Sequence, residues 1–581
     1  MRHFLICLAI LLGWFPMARG GDAYFISKSG SNSNNGQSWA TAWLTAGHAD
    51  STAGLGDTII FGDGVFTNVY FRPKVGGRRT ATKFTVYACS SWYANIGNPV
   101  AQVAGRLDGS GQYRTTLLGG GRVTGWTYYG MTGGDTIWQA TWTPTFTMPG
   151  WGSTPKTISQ GSTSKPESLM AIQMNLASID SRGEAYYSGT TIYACCYGGK
   201  NPNSQVGVFA SCNAPFYFAP QNSDTISYVR IFGLEVKMGL QGVVLIETFY
   251  QGVTDSLFID YCHIAMAGQS TGENCACIMS RNYEPYRNKW IRVRGCSIGW
   301  AWGVQSTNTN NPPSGVQYTS GSSGGAFCSY STEQSSVDSC DLYGYYGSGV
   351  HWKNDDHDGA CDATTTFRAN VVKYCTIRNV KYAAVWISVY PEDDSIYGNI
   401  AIGPGSEGFL THDRAADYCN NAALYKYHFF VANNTIIGFD RTVSHWTSLA
   451  GTAGDSCEFR YNVVYGDFSG GQQNFFLCYL NYEDDWWTVW RGGVRVAGID
   501  SNMYYPTAGS FTWRRYPDYS GTFATWQTLA GNHILSSPGF DVHGFFADPG
   551  FNDPDNGDFS RPSAPVEMTR DYGGRHWSVY G

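Results

Sequence analysis

Cys262-His-Ile264, Cys296-Ser-Ile298, Cys340-Asp-Leu342, Cys375-Thr-Ile377, Asn399-Ile-Ala401, Asn434-Thr-Ile436 and Asn462-Val-Val464 repeat one phrase: a Cys or Asn, one residue, then an aliphatic. A Gly-rich or aromatic run follows each a few residues later. The spacing corresponds to one coil of a solenoid, or one coil plus a loop. No single coil can bury its own inner face, so neighbours must stack to make a continuous core. Such a stack presents columns of outward side chains, a surface suited to an extended polymer.

The composition agrees with strands and turns. Of 581 residues, 14% are charged and 15% aromatic, and 71 are Gly. Long amphipathic helical patterns are absent, while Gly, Ser, Thr and Asn favour turns between strands. A net charge of −7 argues against nucleic acid as a partner, since phosphate binding needs a basic stripe. Arg2 and His3, the apolar stretch Phe4 to Phe15 and the small residues Ala18-Arg-Gly20 read as an export signal over residues 1–20. The apolar run is short for a permanent span, and no later segment qualifies as one. The expected destination is secretion or the periplasm, without membrane insertion, as a monomer.

Sixteen Cys, one of them Cys7 in the signal, leave an odd number in the exported chain. Export permits disulfides. Cys262, Cys296, Cys340 and Cys375 read either as a column of small buried residues or as neighbours able to bridge. The vicinal pair Cys195-Cys196 lacks metal-ligand spacing around it.

Four regions follow the signal. Residues 21–123 form a cap and the first coils: Tyr24-Phe-Ile is a strand, Trp39 and Trp43 begin a short helix that ends before Gly54, and Gly56-Asp-Thr-Ile-Ile-Phe-Gly62 is a buried strand. A helix over the open end shields unpaired strand backbone. Residues 124–220 read as an irregular aromatic and Gly-rich insertion or a set of long loops. Residues 221–522 hold the repeats, and residues 523–581 a terminal cap.

The opening, with Asn34-Asn-Gly36, Trp39 and Gly56-Asp-Thr-Ile, resembles secreted right-handed parallel β-helix proteins of the pectin-lyase-like superfamily. So do Trp526-Gln, Ala547-Asp-Pro-Gly-Phe551, Asp558-Phe559 and Ser563-Ala-Pro565 at the end, and the coil phrase Asn434-Thr-Ile-Ile-Gly438. The resemblance implies an all-β, single-stranded right-handed parallel β-helix. It covers most of the chain except residues 124–220. That superfamily includes polysaccharide lyases, glycoside hydrolases, epimerases and non-catalytic adhesins and tail proteins, so fold alone names no reaction.

Aligning the markers gives four strands to compare: Val350-His-Trp-Lys-Asn-Asp355, Val385-Trp-Ile-Ser-Val-Tyr390, Phe409-Leu-Thr-His-Asp-Arg414 and, with a one-residue shift, Val443-Ser-His-Trp446. Alternation then sets His351, Lys353 and Asp355 outward on one coil, Trp386, Ser388 and Tyr390 on the next, and Leu410, His412 and Arg414 on the third. Coils stack about 4.8 Å apart, so Lys353 and His412 lie roughly 10 Å apart across Ser388. His445 falls in an inward column.

The outward patch suits β-elimination on an acidic glycan, which needs a cation beside the carboxylate, a base for the C5 proton and an acid for the leaving oxygen. Lys353 or His412 supplies the base, and Tyr390 or Arg414 the acid or charge clamp. Trp386 offers a stacking face, and His351 and Ser388 hydrogen bonds. Some β-helix lyases set a catalytic Lys and Arg on neighbouring coils; here Ser388 stands beside Lys353, and Arg378 belongs to another face. Asp355, Asp356 and Asp358 make an acidic loop able to hold calcium, the one cofactor expected, although the spacing fits no EF-type loop.

Two alternatives stay open. The same acidic loop, with Asp362 nearby, together with Glu392, Asp393, Asp394 and Asp413, could instead make a glycosidase pair, Asp355 or Asp356 with Asp413 first among them, though the ordered motifs of polygalacturonase-like hydrolases are not evident. A non-catalytic adhesin would bind glycan through aromatics such as those of Tyr482-Glu-Asp-Asp-Trp-Trp-Thr-Val-Trp490. Asp553-Pro-Asp-Asn-Gly-Asp558 reads as a turn inside the terminal cap.

Overall fold

The computed structural model describes residues 21–73, 84–145, 147, 153–155, 157–173, 175–220, 224–248, 252–269, 275–282, 288–303, 324–330, 332–345, 347–353, 369–380, 382–388, 392–412, 428–447, 456–468, 473–479, 497–500, 502–509, 512–516, 519–528 and 544–554. The chain folds as a right-handed parallel β-helix. In one sheet the strands Ala23–Ile26, Thr58–Phe61, Thr85–Cys89, Thr225–Phe232, Val253–Asp260, Arg292–Arg294, Ser336–Asp338, Val371–Lys373, Glu392–Tyr397, His428–Ala432, Ser456–Arg460 and Ala497–Asp500 lie side by side in chain order. Spatial order that follows chain order, with parallel pairing, is the arrangement of a solenoid.

Each coil leaves that sheet through the marker turn. The residue before the marker adopts a left-handed conformation: Tyr261, Gly295, Ser339, Tyr374, Gly398, Asn433 and Tyr461 have φ between 54° and 67°. For the non-Gly members this conformation is uncommon and needs support from the surroundings. Part of that support is regular: Tyr261 N–H donates to Arg294 O, Ser339 N–H to Lys373 O and Tyr374 N–H to Tyr397 O, each in the next coil (2.8–3.2 Å). The chain then enters a second sheet. There it runs along a first arm (Glu235–Leu240, His263–Gln269, Ser297–Gly303, Asp341–Tyr345, Thr376–Val380) and a second arm (Val244–Thr248, Cys275–Asn282, Gly324–Tyr330, Val350–Lys353, Ala383–Ser388). In Ile400–His412 and Thr435–Thr447 the two arms fuse into one strand.

The aliphatic of the repeated phrase is a core column. Val236, Ile264, Ile298, Leu342, Ile377, Ala401, Ile436 and Val464 are register partners on successive coils and are all buried. Ile259, Val293, Val337, Val372, Ile396, Val431 and Phe459 face them from the other sheet, equally buried. Burying each such side chain is worth about 1.5–3 kcal/mol. The marker itself is also buried. Cys262, Cys296, Cys340 and Cys375 carry free thiols, so they form the column of small buried residues and not bridges. From Asn399 on, Asn takes over: Asn434 Oδ1 accepts the Asn399 backbone N–H (3.0 Å), and Asn462 Oδ1 accepts that of Asn434 (3.0 Å).

The N-terminal end is capped as expected. A 3-10 turn at Trp39–Thr41 leads to the helix Ala46–Thr52, which buries Ala46 and Ala49 and whose first turn is capped by the Thr45 hydroxyl. Trp43 stacks on Tyr24 (4.6 Å between centroids) and donates to Asn34 O. Gly36, at φ 74°, passes within van der Waals contact of the Trp43 ring, where a Cβ would clash. The Asn-Gly phrase of the opening is thus the seat of that Trp.

Residues 124–220 differ from the irregular run expected. They contribute to two small, mainly antiparallel sheets, one of Pro166–Leu169, Thr157–Gly161, Gly207–Ser211 and Gly121–Val123, the other of Ala171–Ile172, Glu184–Ser188, Thr191–Cys195, Asp135–Thr141 and Thr127–Thr132. Between them Trp126, Trp142, Ile158, Ile172, Ile192 and Val208 share a core. The strands are short and mix aromatic with small residues, which hides the period of two. Phe216–Phe218 already pairs with Val244–Thr248 in the β-helix.

Candidate active site

The second arm sets the candidate site. Its inward column, Phe327, Val350, Val385 and Phe409, is buried in the core. Phe409 pairs directly with Val443, so the one-residue shift expected for Val443-Ser-His-Trp446 is not needed, and His445 pairs with Thr411 in the column of Trp352 and Ile387, which are core residues. Alternation therefore assigns positions 351 and 353 to the other face of the sheet.

Two columns run along that face. In the one holding position 353, Lys353 pairs with Ser388 and Ser388 with His412. The expected Lys–Ser–His column thus stands in the backbone register. It continues toward the N-terminus into three residues the sequence reading missed. Tyr330 pairs with Lys353, Arg281 occupies the corresponding position one coil earlier, and Glu247 pairs with Arg281. Glu247 is 2% exposed and accepts a hydrogen bond from the Tyr217 hydroxyl (3.1 Å). Burial, together with the Glu247 carboxylate beside it, pushes the Tyr217 phenol well above its ordinary value, so it stays protonated and donates. Tyr330 is nearly buried, at 8%, and Arg281 is half-buried. These three escaped detection because the coil of Glu247 has Leu234 where later coils have Cys or Asn, and because longer segments separate Cys262 from Arg281 and Cys296 from Tyr330 than separate Cys340 from Lys353.

The neighbouring outward column is closed. Tyr217, Leu245, Met279, Cys328, His351 and Trp386 follow one another in register, and the first five are buried. This corrects two expectations. His351 is 2% exposed and does not face solvent; its ring lies flat on the Trp386 indole, with centroids 4.0 Å apart and planes parallel, and its Nδ1 is 3.9 Å from Cys328 Sγ. One face of Trp386 is therefore taken by His351, and the Tyr382 ring meets the part-buried indole edge-on at 5.2 Å, so the face expected to be open to a sugar is at least half occupied. A ring pair of this kind packs apolar surface first.

Tyr390, Arg414, Asp355, Asp356, Asp358, Asp362, Asp413 and the 482–490 segment lie outside the described residues, and Lys353, Ser388 and His412 are placed by backbone register. Glu392, Asp393 and Asp394 belong to the strand Glu392–Tyr397 in the opposite sheet, and Asp394 is buried there with its Oδ1 accepting the Asn370 backbone N–H. That placement removes Asp394 from the column and from a carboxylate pair with it. Among the described residues no group of three or more His, Cys, Asp or Glu is close enough to hold a metal ion. No described helix is long and apolar enough to cross a membrane.

No protein-family model matches the sequence. Comparison with curated proteins yields no match. Solved structures with a similar course of chain include the complex of XylC with xylose (11% identity, 90% of this chain and 82% of that one, TM-score 0.46) and the pectate lyase Pel9A (11%, 89% and 88%, TM-score 0.35). The GH136 lacto-N-biosidase from Eubacterium ramulus is a third (10%, 86% and 67%, TM-score 0.33). No residue role or activity transfers to this chain at such identities and TM-scores.

Proposed function

We propose that this chain is an exported carbohydrate-active enzyme, and that it cleaves a uronic-acid-containing polysaccharide by β-elimination along the Glu247–Arg281–Tyr330–Lys353–Ser388–His412 column. The observation that carries the reading is the register: groups able to neutralise a carboxylate, abstract a proton and donate one occupy six consecutive coils, at a spacing of about 4.8 Å per coil. Arg281 presents a planar guanidinium fork and serves as the carboxylate clamp. Lys353, two coils from Arg281, takes the C5 proton, since a lysine can be tuned toward neutrality by its neighbours, and His412, two coils beyond Lys353, lies further along the path of the polymer. Tyr330, Tyr390 or Arg414 protonates or stabilises the leaving oxygen. Calcium at Asp355, Asp356 and Asp358 would add a second charge clamp.

The test is a screen of the mature protein against uronate polymers, with and without calcium, following the ultraviolet absorbance of the unsaturated product. Elimination requires that absorbance, and its loss in Lys353→Ala. Reducing ends without it would sink the lyase reading and favour hydrolysis at Asp355 or Asp356 with Asp413. Binding without any product would favour a glycan-binding adhesin.

A further inference from the structure

The two small sheets within residues 124–220 enclose a core of their own, and that core opens at one end. In the first of these sheets Ile158 and Ala210 are register partners, both buried in the shared core. Two residues along, and so on the same face, Gln160 lies between Ser168 and Val208. Apolar side chains thus give way to polar ones. A cleft of about 240 Å³ opens there, and Gln160, Glu167, Ser168, Tyr197, Lys200 and Gln205 are among the residues that line it.

Tyr197 is the fixed wall of the cleft. It begins the 3-10 turn Tyr197–Gly199, after the strand Thr191–Cys195 of the second small sheet. Gln160, 7% exposed, accepts the Tyr197 backbone N–H at Oε1 (2.7 Å) and donates from Nε2 to the Tyr197 carbonyl (3.3 Å). The phenol donates to Leu169 O (2.8 Å). Gly183 admits the ring, since a Cβ there would stand 2.0 Å from Tyr197 Cε1. These bonds and the glycine hold a part-exposed ring in position, which lowers the ordering cost of binding.

The polar groups of the lining are unengaged. Glu167 is the extra residue of a bulge between Pro166 and Ser168, and a bulge re-aims a side chain. The hairpin that carries it is tied to the β-helix, because Lys165 Nζ donates to Glu235 Oε2 (3.3 Å) and Lys237 Nζ to Pro166 O (3.3 Å). Among the described residues, the side chains of Glu167, Ser168 and Lys200 have no hydrogen-bond or ion-pair partner. Gln205 uses only its Oε1, which accepts the Asn201 N–H (2.8 Å).

This set of groups selects the ligand. A carboxylate only accepts, an ammonium and an amide NH2 only donate, and a hydroxyl does both. The hydroxyls of a sugar meet all three, and its C–H face packs on a phenol ring. Glu167 and Lys200 are the one acid and the one base of the lining, so it carries no net charge. Both are exposed, where an ion pair is worth little, so a uronate or a zwitterion gains little from them. The volume falls below the roughly 300–1,000 Å³ of sites for drug-sized ligands, which suits one or two sugar rings.

We propose that this cleft binds a neutral sugar unit of a glycan, its ring against Tyr197 and its hydroxyls on Glu167, Ser168, Lys200 and Gln205. The site is distinct from the Lys353 column and needs no chemistry there.

The experiment is calorimetric titration of the full chain carrying Lys353→Ala with cellotriose, xylotriose, mannotriose and laminaritriose, and with trialanine as the zwitterionic control. Saturable binding of at least one neutral trisaccharide, tenfold or more tighter than trialanine, is expected, and trigalacturonate should not displace it. Tyr197→Ala should weaken it tenfold or more. Because Tyr197 is part of the packing, the exposed pair Glu167→Ala with Lys200→Ala is the second variant, expected to lose fivefold or more with an unchanged melting temperature. No saturable binding of a neutral trisaccharide, trialanine binding within tenfold of it, displacement by trigalacturonate, or a loss below fivefold in the paired variant overturns the site. Lyase activity along the Lys353 column, present or absent, alters none of these outcomes.

Discussion

Glu235 shows what one residue can do in this fold. Thr116, Lys165, Lys237 and His263 converge on a carboxylate that is only 3% exposed, so the side chain is committed to its charged form. Its folded pKa lies below the ordinary carboxylate value of about 4.3. The stability it contributes is therefore complete above that value and is lost as pH falls through the range between the unfolded and folded values. Glu235→Gln should cost about 3–5 kcal/mol at neutral pH, because two lysines lose their counter-charge, and should flatten the acid limb of the stability curve. Chemical denaturation between pH 3 and 7 measures both. Gly299 makes a second case. It needs no left-handed backbone, yet Gly299→Ala would drive a methyl into Tyr343, and overpacking of this kind costs about 1–3 kcal/mol. A thermal melt of that variant beside Gly438→Ala, where a Cβ has open space, separates ring clash from backbone strain.

At the scale of the element, the marker turn is the unit that the chain repeats. The Cys and Asn markers solve one problem differently. Asn399, Asn434, Asn462 and Asn502 form a ladder in which each Oδ1 accepts from the marker before it and each Nδ2 donates to a carbonyl of an earlier coil. Cys262 N–H instead meets Cys296 Sγ at 3.4 Å, a weaker acceptor. Asn434→Ala strands the donors of Asn399, each unsatisfied group costing about 1–3 kcal/mol, and Asn434→Cys should lose less. Urea unfolding of the two variants tests the order. The thiols of Cys262, Cys296 and Cys340 are held well above their ordinary values by burial, so they should resist alkylation until the coils unfold. Labelling with and without denaturant, read by mass spectrometry, checks this.

The elements also explain what could be read beforehand. The marker phrase revealed the coils because its aliphatic is a core column and its Cys or Asn a buried turn, two demands that recur at every level of the stack. Lys353, Ser388 and His412 were legible for the same reason, since register follows once two inward positions are known. Glu247, Arg281 and Tyr330 were not, because loops of unequal length break the count between coils. His351 and Trp386 were misplaced because alternation tells which face a residue takes and not what covers that face. Glu235, His263 and Tyr343, on three different coils, come together only through stacking.

At the scale of the molecule, the β-helix is a row of addresses. One arm of each coil contributes to the Lys353 column, and the other, at Glu235, anchors the hairpin of the Tyr197 cleft, so the coil of Glu235 and Glu247 reaches both. If elimination takes place along the Lys353 column, Arg281→Ala should lower kcat/KM by a hundredfold or more, and Arg281→Lys should recover only part, because a point charge cannot reproduce the planar fork. The measurement closest to the central claim is the ultraviolet absorbance of products formed from uronate polysaccharides by the mature protein and by Lys353→Ala. Absorbance that rises with the unmodified protein and vanishes in the variant is the expected result. Cleavage that persists in Lys353→Ala, or that yields reducing ends with no absorbance, would contradict it.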